Sequence, residues 1–148
     1  MILNTNQSNP STNKKINKLV GKPYNFFQKW KLQGWQKNHF SIVEMSAGFE
    51  AYAVGLEEEN SCQLELRPNG ILIHFTRLYE DYTWAIPYYH LSVYKNGKTL
   101  SIYRNTDYMK IQPQDANKKS HQLIQTILKQ KGALNEHNNF QQVYDYFN

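Results

Sequence analysis

Asn96-Gly97, set between two runs of alternating apolar residues, is the feature that most narrows what this chain can fold into. The surrounding text, DYTWAIPYYHLSVYKNGKTLSIYR over residues 81–104, reads as an antiparallel hairpin. A type I′ turn needs positive φ at both central residues, and Asn-Gly supplies it most readily. With Asn96 and Gly97 as the loop, Lys95 faces Lys98, Val93 faces Leu100 and Leu91 faces Ile102. Side chains alternate with period two, so those four apolar residues share one face. The other face takes Tyr94 with Thr99, Ser92 with Ser101, and His90 with Tyr103. The pair is therefore greasy on one side and amphipathic on the other. Pro87 has no N–H to give a ladder, so a bend or edge is expected between Trp84–Ile86 and Leu91–Tyr94.

Around this hairpin, turn signals recur about every ten residues from His39 to Gln114, the spacing of an all-β sandwich or barrel. Strands are predicted near 39–46, 50–55, 61–67, 71–76, 82–94, 98–104 and 107–112. The first two have a competing reading. Ser41 and Glu44 have the spacing of a helix capping box, so residues 41–54 could be helical and the fold an α+β meander. Gly48 and Gly55 oppose that helix. At Arg67-Pro68-Asn69-Gly70 a two-residue loop on Asn69-Gly70 sets Leu64 against Phe75 and Leu66 against Ile73. Pro68 favours instead a three-residue loop with Gly70 as a bulge. The two differ by one residue, which would flip a strand, and the apolar pattern favours the first.

The ends of the chain change character. Residues 1–43 hold seven lysines and no acid, while the remaining ten of the 17 basic residues meet all 12 acids. The net charge of +5 thus belongs to the N-terminal segment. Residues 1–20, rich in Asn, Ser, Thr and Lys, are predicted to be a disordered basic tail. Within residues 21–38, Pro23 at a first helical position and Gly34 beyond the last turn predict a short helix over about 23–33. After Pro113 the apolar spacing becomes helical: Leu123, Ile124, Ile127 and Leu128 form the stripe of a helix reaching Lys131. Phe140, Val143, Tyr144 and Phe147 predict another from about 138, within an extension over 133–148. No run approaches the ~18 apolar residues of a membrane span. One cysteine, Cys62, allows no internal disulfide, and a reducing, cytoplasmic location is expected.

Seven short strands followed by one amphipathic helix is the order of a pleckstrin-homology (PH) superfold. WAIPYYHLSVYKNGKTLSIY, then DYMKIQP, then a helix resembles the ending of bacterial PH-like and GRAM-like domains. The resemblance is carried by residues 61–131 and implies, over 39–132, two orthogonal sheets closed at one end by the last helix. It also implies a contrast. Phosphoinositide-binding members place Lys and Arg on their first two strands, whereas HFSIVEMSAGFEAYAVG has none and contains Glu44 and Glu50. A phosphate clamp cannot be built from that text.

No motif for catalysis or metal binding stands out. The five histidines form no H-x-x-x-H or H-E-x-x-H spacing, and a single cysteine makes no zinc set. Glu65 and His74 are expected as a solvated cross-strand pair rather than an acid–base couple. No cofactor is implied. The expected role is a non-catalytic binding or scaffolding module for another protein. The alternative is capture of an anionic surface, either single-stranded nucleic acid or a membrane, by residues 14–37. The candidate residues there are Lys22, Phe26, Lys29, Trp30, Lys31, Trp35 and Lys37. Tyr88, Tyr89, Tyr94 and Tyr103 offer a second contact face.

Overall fold

The computed structural model describes residues 2–4, 10–25, 39–52, 61–77, 80–114 and 123–132. Its elements are β1 (Ile2–Asn4), α1 (Pro10–Val20), β2 (Phe40–Met45), β3 (Ser61–Arg67), β4 (Gly70–Arg77), β5 (Glu80–Pro87), β6 (Leu91–Asn96), β7 (Thr99–Arg104) and β8 (Asp107–Pro113). A C-terminal helix, α2, spans residues 123–132. The strands form one antiparallel sheet in the order β1-β5-β4-β3-β2-β8-β7-β6, open at both ends. The expected mainly β fold with a late helix is what the chain adopts. No helix among the described residues is long and apolar enough to cross a membrane.

Period-two alternation builds the core. Cys62, Leu64 and Leu66 of β3 point inward with Ile71, Ile73 and Phe75 of β4, and with Trp84 and Ile86 of β5. Phe40, Ile42, Leu91, Leu100, Ile102, Met109 and Ile111 continue the same cluster round the sheet, and Leu123, Ile124 and Ile127 of α2 plug it. One curled sheet therefore encloses one core, as a half-buried antiparallel sheet must. On its outer face a smaller cluster joins Ile16 and Val20 of α1 to Leu72 and Ala85.

Both hairpins keep the expected faces but move their loops by one residue. Around Gly97, Val93 pairs with Ile102, Lys95 with Leu100 and Asn96 with Thr99, so Gly97-Lys98 is the loop. Gly97 has φ +59, while Lys98 is not in the positive region. These are the φ signs of a type II′ turn, which wants Gly at its first central position. At the other hairpin Arg67 pairs with Gly70, Leu66 with Ile71 and Leu64 with Ile73, leaving Pro68-Asn69 as the loop. Proline suits the first central position because its φ is preset and its missing N–H is not needed there. In both cases the pairing slides by two residues, so every side chain stays on its expected face.

Three expectations are corrected. Residues 50–52 are not strand: Ala47–Tyr52 is a 3₁₀ turn. The Ser46 N–H donates to the Tyr108 carbonyl, and its hydroxyl accepts from the Tyr108 N–H, which turns the chain. Phe49 then drops edge-on against Trp84, with ring centres 4.8 Å apart. Nor are residues 41–45 helical, since β2 pairs with β8 across that stretch. Within 82–94 the break expected at Pro87 is present: a 3₁₀ turn at Tyr88–His90 separates β5 from β6. The third correction concerns the N-terminus. Ile2–Asn4 pairs with β5, and Pro10–Val20 is helical, where a disordered tail is predicted. The helix expected over 23–33 lies outside the described residues from Phe26 onward, and Pro23–Asn25 is not helical. The helix from about 138 also lies outside them.

Candidate interaction surface

The outer face of the sheet has two unlike halves. Over β3, β4 and β5 it is covered by α1 and held by a chain of polar contacts. Arg67 Nε donates to Glu65 at 2.9 Å, while Nη1 donates to Asn17 Oδ1 at 3.0 Å and to the Gly21 carbonyl at 2.9 Å. His74 Nε2 lies 2.7 Å from the other Glu65 oxygen, and Nδ1 lies 2.9 Å from the Thr83 hydroxyl. Burial pushes the Glu65 carboxyl up, but the His74 hydrogen bond and the Arg67 charge outweigh it and leave it below its ordinary value of 4.5.

Hydroxyl, imidazole and carboxylate in a row at these distances resemble a nucleophile with its base and orienting acid. Thr83, however, has 0% of its surface exposed. A substrate cannot reach that oxygen, so the row works as a tether for α1. Glu65 and His74 are not the directly opposed, solvated pair expected: Gln63 sits opposite His74, and Glu65 reaches it diagonally. A cleft of about 360 Å³ lies beside His74, with Cys62 in its wall. Several of its polar groups are engaged: His74 with Glu65 and Thr83, the Thr76 hydroxyl with Asp81 at 2.7 Å, and the Tyr82 hydroxyl with Glu80. Among the described residues no three His, Cys, Asp or Glu side chains are grouped to hold a metal.

Over β2, β8, β7 and β6 the same outer face is open and aromatic. Tyr94 of β6 meets Tyr103 of β7 edge-on at 5.7 Å. Tyr103 in turn meets Tyr108 of β8 at 5.3 Å. Lys110 Nζ stands 5.6 Å from the Tyr108 ring centre and 2.9 Å from Glu44 of β2. The row thus crosses four strands, from an exposed tyrosine to an exposed ion pair. Its hydrogen bond with Lys110 holds the Glu44 carboxyl below its ordinary value and raises Lys110 in turn.

A bulge in β2 puts Glu44 there. Ile42 pairs with Ile111, yet Glu44 pairs with Lys110, so Val43 is an extra residue. Strict alternation would send Glu44 inward beside Ile42. The extra residue rephases the strand, turning Glu44 outward and Met45 toward the core.

The candidate tyrosines divide. Tyr94 and Tyr103 lie together on the open face. Tyr88 does not join them: it is buried in the core, and its hydroxyl is hydrogen-bonded to Gln130 of α2. Burial, with Tyr24 nearby, raises that phenol well above its ordinary value. Tyr89 is 67% exposed but packs against His90 in the 3₁₀ turn. Lys22 is exposed just past α1, and Phe26, Lys29, Trp30, Lys31, Trp35 and Lys37 lie outside the described residues. Tyr108, Lys110 and Glu44 are new members of the surface. The signal for the first two was present, because Tyr108 and Lys110 alternate with Met109 and Ile111 in DYMKIQP. The chain matches no protein-family model and no curated protein.

Proposed function

We propose that this protein is a non-catalytic binding module whose open tyrosine face docks another protein. One observation carries the reading. Half of the sheet's outer face is covered by α1, whereas the other half presents the Tyr94–Tyr103–Tyr108 row with nothing from the described residues laid over it. Tyrosine supplies large contact area at low entropic cost and keeps a polar tip for hydrogen bonds, which suits protein interfaces. The only cation in the row is Lys110, and it is paired with Glu44, so the row itself offers polyanions no free positive charge. The same pair removes the nearest basic group from β2, in keeping with a PH-like domain that has no phosphoinositide clamp. Seven consecutive antiparallel strands followed by a helix support that family reading.

A second reading rests on α1, which exposes Lys14, Lys15 and Lys18 away from its buried Ile16 and Val20. The apolar face of this helix is taken up by the sheet, so its lysine face suits purely electrostatic capture of an anionic membrane surface or nucleic acid. The two readings separate in one experiment. The wild type is compared with Tyr94→Ser/Tyr103→Ser and with Lys14→Gln/Lys15→Gln/Lys18→Gln by quantitative cross-linking to cellular proteins, and by titration with single-stranded DNA and anionic vesicles. A defined cross-linked protein lost only from the tyrosine variant supports the first reading. Salt-sensitive binding to DNA or vesicles, lost only from the lysine variant, replaces it with the second.

A further inference from the structure

Lys95 is out of place for a charged residue. It pairs with Leu100 and follows Leu91 and Val93 on the core-facing side of β6. Inward-pointing charges do discourage an edge strand from pairing with other chains. That role does not account for the recess beside it. Between the Gly97-Lys98 turn, the end of β8 and α2 lies a cavity of about 180 Å³. Buried Leu100 and Ile124 form its floor, Pro113 and Gln114 its side, and exposed Lys95 and Lys98 its mouth. Among the described residues no acid lines it, and neither lysine has an acidic partner.

An apolar recess with two cations at its mouth selects for a ligand with the opposite arrangement. From this geometry we infer a binding site for a small aliphatic monocarboxylate, its tail against Leu100 and Ile124 and its carboxylate between Lys95 and Lys98. The volume resembles the ~150 Å³ of a cavity that holds one benzene molecule, so the tail it admits has about six carbons. A larger acyl chain does not fit, and a carboxylate without a tail leaves the apolar floor in water. The site lies on the core-facing side of the β6–β7 hairpin, independent of the tyrosine face on the outer side.

The test is a chain-length series read by amide chemical shifts of the full-length protein. Acetate, butanoate, hexanoate and octanoate are titrated, with hexan-1-ol as the uncharged counterpart. Saturable shifts at Leu100, Gln114 and Ile124 are expected with hexanoate. Affinity should rise by up to about fourfold per added methylene as far as hexanoate, the effect of burying one CH₂ group, and not rise further with octanoate. Lys95→Gln/Lys98→Gln, which alters two exposed side chains, should weaken hexanoate roughly fivefold or more and leave hexan-1-ol unchanged. Absence of saturable shifts at those three residues would overturn the site. So would acetate binding as tightly as hexanoate, or hexanoate binding the double variant as tightly as the wild type.

Discussion

Gly70 and Val20 approach so closely that position 70 has no room for a side chain. A Cβ built there would lie 2.6 Å from Val20 Cγ1 and 2.3 Å from the Ile86 carbonyl oxygen. The contact seats α1 on the sheet. The adjoining turn is clasped at the same place, since the Asn69 N–H donates to the Val20 carbonyl and the Tyr88 N–H to the Asn69 carbonyl.

Gly70→Ala is therefore expected to cost about 2 kcal/mol or more in urea unfolding, because two of the three obstructing atoms, the Ile86 carbonyl oxygen and Pro87 Cα, are backbone and cannot rotate away. The cost should be partly non-additive with Val20→Ala, which removes the one side-chain obstruction and leaves the two backbone ones. Full additivity of the two changes would show that the helix does not press on β4.

Gly97 poses the opposite problem, with nothing within 4 Å of a Cβ but a φ of +59. Gly97→Ala should cost about 1–2 kcal/mol through backbone strain alone. The Val93–Ile102 pairing should survive the change, and cross-strand nuclear Overhauser contacts would report it. Equal stability of the two proteins would mean that the turn has another conformation.

Arg67 ties β3 to the end of α1. Arg67→Met should destabilise by about 2–3 kcal/mol, below the ~3–5 kcal/mol of a fully buried pair because Glu65 keeps 22% of its side chain in water. Hydrogen exchange gives the sharper readout. Amides near the C-terminal end of α1 should exchange faster, while those of β7 and β8 keep their protection. Uniform loss of protection across the sheet would place Arg67 in the global core instead.

Acid should act through Glu65. Its folded-state value is depressed below 4.5, so its contribution is present above that pH and disappears as pH falls through the folded value. Stability of the wild type should consequently drop more steeply with acid than that of Glu65→Gln. Glu44 is depressed in both proteins, so its effect cancels in the comparison. Parallel acid titrations of stability would remove Glu65 from the tether.

In the two hairpins the face on which each apolar side chain sits was legible from the alternation alone, because a hairpin that slides by two residues preserves it. Leu64, Leu66, Val93 and Ile102 illustrate this: their partners changed and their faces did not. The loops were misplaced where two turn residues compete, as with Asn96 beside Gly97 and Pro68 beside Asn69. α1 was hidden because only Ile16 and Val20 form its buried stripe, among polar residues that resemble a tail. β1 is three residues long, too short for any periodicity. Tyr88 and Tyr89 are indistinguishable as text, and it is the turn after Pro87 that sends one inward and the other into water. Glu44 occupied a core slot in the pattern, and it is the extra residue Val43 that turns it outward.

The sheet ends unequally. At one margin β1 lies along Tyr82–Trp84 of β5, while at the other the six residues of β6 have no strand beside them among the described residues. Lateral growth from one long margin is self-limiting. Two molecules joined β6 to β6 would each have used that border, so association through it alone closes at a pair.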